Sequence, residues 1–223
     1  MINKIVVSDE IKNVCPTFVG AAYEATIKNA PFSESLWNEI NCIGKNLCNQ
    51  LTVDTLKDIP SIAATRCVYK MCGKDPSRYR PAAEALIRRL LKGNELYQID
   101  VAVDLINLAS IVFGYSIGGF DAEMIVGDTL TLGVGREGEP YEGIGRGLLN
   151  IAGLPVYRDN IGGIGTPTSD HERTKITMTT GRLLVLVNGY DGDEENVLRC
   201  ANMIRELSQK YLNSSNDKLF IYK

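Results

Sequence analysis

The sequence holds a single histidine, His171, and its six cysteines, at 15, 42, 48, 67, 72 and 200, include no C-x-x-C pair. With so few nitrogen and sulfur ligands in register, no metal site is expected. No run of about 18 apolar residues occurs, so no membrane-spanning helix is expected. The opening stretch "MINKIVVSDEIKN" is broken by Asp9, Glu10 and Lys12 and lacks the apolar core of a secretory signal. Reduced thiols and a cytoplasmic location are the expectation.

Several chemical signatures are also missing. No G-K-[ST] follows the glycine loops, which excludes a Walker phosphate loop. "GVGREG" matches G-x-G-x-x-G only in part and follows a strand without opening a helix, which argues against a dinucleotide site. No cofactor is expected. "YDGDEEN" departs from calcium-loop spacing and reads as a turn that caps the last helix. There is no G-x-S-x-G elbow. A Ser-His-Asp triad would need His171, whose obvious acids, Asp170 and Glu172, are merely its chain neighbours.

What is present is an ordinary globular composition, 44% hydrophobic and 23% charged over 223 residues. One compact unit spanning 1–223 is expected. The net charge of −3 conceals segregation. Residues 66–92 carry eight basic side chains against Asp75 and Glu84, whereas the rest of the chain holds 16 basic and 25 acidic residues. Tyr69 and Tyr79 interleave the basic stretch. Arg78, Arg80, Arg88, Arg89 and Lys92 are thus candidates to follow a phosphate backbone, or else form the solvated faces of two helices.

Periodicity predicts strands over 3–9, 17–27, 128–134, 182–189 and near 154–164, with a last strand in "DKLFIYK". It predicts helices over 33–51, 60–73, 81–93, 99–114 and 192–213. Ser33 is a candidate N-cap, and Pro60 and Pro81 open helices that Gly73 and Gly93 close. In 81–93 Glu84, Arg88 and Lys92 share the face opposite the apolar one. Residues 114–165 are dense in glycine, with short β-like runs. Helices and strands mix without strict alternation, so an α+β fold of mixed α/β layers follows.

The 99–114 helix is apolar nearly all round and should be buried. Its polar exceptions, Asp104, Asn107 and Ser110, lie along one side. Such a row either satisfies the backbone of a neighbouring loop or forms the polar wall of a pocket.

The order "SRYRPAAEALIRRLLKG", "IDVAVDLINLASIVFGYSIGGFDAEMI", "DTLTLGV", "VYRDNIGGI" and "ERTKIT" resembles the B3/B4 domain of the phenylalanyl-tRNA synthetase β subunit, which also occurs as a free-standing protein. The resemblance covers roughly 77–180, taken as the core. Residues 1–75 form an N-terminal extension and 181–223 a C-terminal strand-helix-strand. It implies an editing module that hydrolyses a wrong amino acid from tRNA, here acting in trans on aminoacyl-tRNA. The alternative is a non-catalytic module binding tRNA or an amino acid. By correspondence Asn107, Asp121, Gly162 and Gly163 belong to the pocket, with Asp104 and Gly119 beside them. Gly118 stands where the synthetase has a histidine, and Thr166, Pro167 and Thr168 occupy the slot of its glutamate. Glu172, Arg173, Thr174 and Lys175 look like a signature of the free-standing members, as do Arg80, Pro81 and Glu84. The two charge groups are expected to pair across the mouth of the domain. Glu172 and Arg173 are the better site candidates, and His171 reads as a surface turn residue.

Overall fold

The computed structural model describes residues 2–223. Two four-stranded sheets and one layer of helices make up an α+β fold. The first sheet has the order β1-β4-β7-β8, formed by Lys4–Val7, Thr129–Val134, Pro155–Arg158 and Gly163–Gly165. The second has the order β10-β2-β9-β3, formed by Ser215–Tyr222, Val19–Thr26, Arg182–Gly189 and Ile117–Asp121. A small hairpin, β5 (Glu142–Gly143) and β6 (Gly147–Leu148), projects between them in sequence.

Strand β9, "RLLVLVNG", is apolar on both faces because both are covered. Leu183, Val185 and Val187 join the core beneath the helices, while Leu184 and Leu186 join the core against the other sheet. This alternation is the two-residue period of a strand dividing one run between two cores. Strand β2 divides likewise, with Tyr23 facing the helices and Ala22 the other sheet. The N-terminal 75 residues therefore supply an inner strand of the second sheet.

The helices form where caps and periodicity place them. Helix α2 (Glu34–Gln50) starts at Ser33, whose Oγ accepts from Leu36 N at 3.4 Å. Helix α3 (Pro60–Met71) opens on Pro60, and α4 (Ala82–Leu91) follows Pro81. Helix α5 (Val101–Phe113) is capped by Asp100, which accepts from Val103 N at 2.9 Å, and ends at Gly114 with φ of 72°. That left-handed turn suits glycine, and a Cβ there would also strike Ser61 Oγ. Leu105 and Leu108 of α5 are fully buried, so cutting either to alanine should cost about 2–5 kcal/mol. Helix α6 (Glu194–Leu212) starts at Asp193, which accepts from Asn196 N at 3.0 Å. Preceding it, α1 (Asp9–Val14) links β1 to β2.

Two features depart from expectation. Strand β3 lies in the glycine-dense region, where Gly118 and Gly119 lower strand propensity. It forms by pairing antiparallel with β9, and glycine is required at both positions because a Cβ would lie 2.6 Å from Phe120 Cζ at 118 and 2.7 Å from Ile106 Cδ1 at 119. The second departure is Glu84, which does not share a solvated face with Arg88. It is 1% exposed and accepts from Arg66 at 2.8 Å and Arg88 at 3.1 Å, with Arg80 at 3.3 Å.

Candidate functional site

An apolar cavity of about 300 Å³ opens between α5, the outer edge of β3 and the segment that follows β8. Val103 and Ile106 come from α5, Ile117 from β3, Ile144 from the β5–β6 turn and Ile176 from the returning segment. Ile99 and Ile144 are 57% and 41% exposed at its mouth. Three polar side chains enter this apolar shell: Asn107, Asp170 and Lys175. A greasy cavity with a few convergent polar groups has the make-up of a small-ligand site.

Asp170 is placed by both sheets. Its backbone forms an isolated bridge to Gly165 of β8, and its Oδ2 accepts from the amide of Gly119 in β3 at 3.1 Å. Gly165 leaves it room, since a Cβ there would lie 2.8 Å from Asp170 Oδ1 and 2.5 Å from Phe120 Cζ. Burial pushes the Asp170 carboxyl up to about 7, against the lesser opposite pull of the Gly119 N–H. A carboxyl near neutrality in a cavity is suited to exchanging a proton with a bound group.

The polar row of α5 splits. Asn107 faces the cavity. Asp104 is buried one layer behind, accepting from Trp37 Nε1 at 2.7 Å and from Ile99 N at 3.1 Å. Burial raises its pKa, opposed by those two donors. By holding Ile99 N it fixes one lip of the cavity. Ser110 donates to Tyr115 O at 2.7 Å and serves the helix end.

The other residues singled out from sequence do not line this cavity, Gly119 and Lys175 excepted. Gly118 is buried in β3 against Phe120. Asp121 accepts from Thr180 Oγ1 at 2.8 Å and Glu123 N at 3.0 Å, pinning the strand end. Gly162 donates to Asp159 Oδ1 at 3.1 Å, and Gly163 packs on Tyr141. Glu172 and Lys175 pair with each other. Arg173 forks onto Asp159 with two bonds of 3.0 Å and also donates to Met124 O at 2.9 Å. Burial works to raise the Asp159 carboxyl, but Arg173 and three backbone N–H groups hold it below the usual range. Thr174 is fully buried. The two charge groups thus pair locally: Arg80 with Glu84, Glu172 with Lys175. Pairing across the mouth is not what the fold builds: Glu84 is held by Arg66, Arg80 and Arg88, Glu172 by Lys175, and Arg173 by Asp159, with no ion pair between the two groups among the described residues.

His171 caps the 3-10 turn Glu172–Thr174, its Nδ1 accepting from Arg173 N at 2.9 Å. Its ring stands edge-on to Tyr141 at 4.9 Å. Burial lowers its pKa, and Arg173 lowers it further. It is half-buried, more enclosed than a plain surface residue, and it does not line the cavity.

Of the candidate phosphate-binding residues, Arg80 and Arg88 are committed to Glu84. Arg89 lies 3.8 Å over the Tyr97 ring and donates to Glu95 O. Lys92 is exposed at the end of α4. Arg78 is exposed and lines a separate cavity beside Tyr79. Asp170, the residue that joins the two sheet edges, carries no sequence signal beyond its place beside His171. Its burial comes from β3 and β8, two of the least legible strands.

Among the described residues, no cluster of His, Cys, Asp or Glu is arranged to hold a metal ion, and no helix is long and apolar enough to cross a membrane. No curated protein matches the sequence. Among solved structures, an N-terminal fragment of the phenylalanyl-tRNA synthetase β subunit from Pyrococcus horikoshii superposes with a TM-score of 0.47 at 12% identity, over 98% of this chain and 52% of that one. This chain thus spans about half the length of that fragment. The B3/4 domain family model matches residues 64–213, which takes in α5, β3, the returning segment and the whole lining of the cavity. With most of its length inside that match, the chain belongs to the B3/4 domain family.

Proposed function

We propose that the cavity receives the amino-acid end of an aminoacyl-tRNA and that the protein hydrolyses the ester bond in trans. The observation that supports this reading is the combination inside one apolar cavity of a half-buried carboxyl, a lysine and an amide. An amino acid is an apolar side chain joined to a compact polar head. The isoleucine walls suit the first, and Asn107, Asp170 and Lys175 suit the second.

The chemistry balances with water as the only co-reactant. Asp170, as carboxylate, takes a proton from a water that attacks the ester carbonyl carbon. The carbonyl oxygen becomes negative and is met by the Lys175 ammonium, which Glu172 holds at the cavity wall and which turns a further N–H to the substrate. Collapse breaks the bond to the ribose oxygen, and Asp170 returns the proton to that leaving oxygen. Free amino acid and tRNA result. The synthetase-type histidine is not needed, because Asp170 supplies the base on the side that a residue-118 side chain would occupy: a Cβ at 118 would lie 3.5 Å from Asp170 Oδ1.

A non-catalytic binding module is the second reading, favoured by the one bond Asp170 already makes to Gly119, which orients it as a ligand holder. Deacylation of a panel of aminoacyl-tRNAs by the purified protein separates the two. Turnover of species with apolar side chains, lost in Asp170→Asn and reduced in Asn107→Ala, is expected. Absence of turnover with protein in excess of every substrate would leave only the binding reading.

A further inference from the structure

Among the described residues, seven of the chain's twelve arginines are paired with a carboxylate. Arg66, Arg80 and Arg88 surround Glu84, Arg158 pairs with Glu139, Arg173 with Asp159, Arg182 with Glu24 and Arg205 with Asp217. Among the described residues, Arg78 and Arg146 have no ion pair or side-chain hydrogen bond, and both line one open cavity of about 420 Å³. No carboxylate lines that cavity. Behind it, the Lys74 ammonium lies 3.8 Å over the Tyr79 ring and donates to Asn150 O at 2.8 Å. Tyr79 and Asn150 both belong to the cavity wall.

Two chain segments run from this cavity to the apolar one. Ile144 lines the apolar cavity and Arg146 the basic one. Asp170 lines the apolar cavity and Thr168 the basic one. Two residues of chain span at most about 7 Å, so the cavities adjoin along both segments. Unpaired guanidiniums around a carboxylate-free hollow are matched by phosphate oxygens, which accept the fork of parallel N–H donors.

We infer that the Arg78–Arg146 cavity is a phosphodiester subsite that holds the nucleic-acid strand whose terminal ester enters the apolar cavity. The inference rests on the deacylase reading for the identity of the strand. Its chemistry, phosphate held by two guanidiniums with Tyr79 beside them for a base to stack on, stands on the cavity itself. Because the cavities adjoin, the ester and the anchored phosphate belong to neighbouring positions of one strand end. The basic helix α4 is not the strand's track, because its arginines are already engaged.

The test is binding of a fluorescein-labelled single-stranded 5′-ACCA RNA to the intact protein, followed by anisotropy over a series of salt concentrations. Arg78→Ala and Arg146→Ala should each weaken binding about three- to tenfold, and each should flatten the slope of log affinity against log salt by about 0.7. Both side chains are exposed, and circular dichroism should show the variants folded. Arg88→Ala, outside the subsite, should leave the salt slope at the wild-type value. Hydrolysis of an amino-acid ethyl ester, which has no phosphate, should be equal in Arg146→Ala and wild type, while the KM for aminoacyl-tRNA rises. Wild-type affinity and slope in the Arg78→Ala/Arg146→Ala double variant would overturn the subsite. Arginine-dependent RNA binding without hydrolysis of any ester would uphold it while overturning the deacylase reading.

Discussion

The amide of Gly119 donates to Oδ2 of Asp170 at 3.1 Å, and this bond joins the outer edge of one sheet to the loop beyond the outer edge of the other. The cavity exists where those edges meet. Its acid is therefore held by the fold as a whole and not by the helix that supplies most of the polar row.

Asp170→Asn should separate stability from activity. A carboxyl raised to about 7 in the folded chain, against about 3.9 in the unfolded one, favours the protonated native state. Native stability is thus free of this penalty below pH 4 and falls as pH rises from about 4 through 7. Asparagine keeps an oxygen for Gly119 N–H and escapes the penalty. Urea titrations should show the variant gaining on the wild type by on the order of 1–3 kcal/mol between pH 4 and pH 8. Its deacylation rate should fall at least about 100-fold, and the wild-type rate should climb through pH 7 as the base ionises.

Gly119→Val should close the cavity without breaking the strand. A Cβ at this position lies 2.7 Å from Ile106 Cδ1 and 3.0 Å from Ile176 Cδ1, the movable ends of two side chains. Overpacking of this kind costs about 1–3 kcal/mol. The melting temperature should drop modestly, while ligand binding and turnover should be lost. Retained turnover would move the site elsewhere.

Glu84→Gln should be the most damaging of these changes to stability. It leaves Arg66, Arg80 and Arg88 clustered with no counter-charge at a position 1% exposed. A loss of about 3 kcal/mol is expected from chemical denaturation. Arg80→Ala, removing a half-exposed partner, should cost less than about 1 kcal/mol.

His171→Ala should cost about 1 kcal/mol, the value of a lost cap, and His171→Asn should recover most of it by offering an oxygen to Arg173 N. Neither should alter the deacylation rate at pH 7. Because the folded histidine has a lowered pKa, the stability it contributes is present above about 6.5 and is lost as pH falls below it. Thermal melts at pH 5 and 8 measure this directly, and a rate collapse in both variants would show the imidazole at work on substrate.

The helices were legible because their signals are local. Ser33, Pro60, Pro81, Gly73 and Gly93 act within one turn, and the apolar period of 99–114 needs no partner to be recognised. Strand β9 was legible from its unbroken apolar run. The glycine-rich strands β3 and β8 were not, because their strand form comes from long-range ladders with β9 and β7 and their glycines only make room for the Phe120 ring at 118 and 165. Asn107 and Gly119 could be placed at the site through the family order of motifs. Asp170 could not, since its burial depends on those same two strands. Arg173 drew attention as a charged residue in a signature, and its charge is used to tie down the β7–β8 turn. The charge count of 66–92 could not distinguish arginines spent on a buried glutamate from those left free.

Strand β3 is the outermost strand of its sheet, with Ile117 and Phe120 close at hand. An exposed edge of this kind is a template on which a second molecule's strand can add. Asp170 takes the outward N–H of Gly119, and the returning segment through Ile176 covers the flank. The carboxylate at the cavity is thus also a guard against self-association: a molecule that loses the side chain at 170 altogether bares the Gly119 amide on that edge, and aggregates should grow from it.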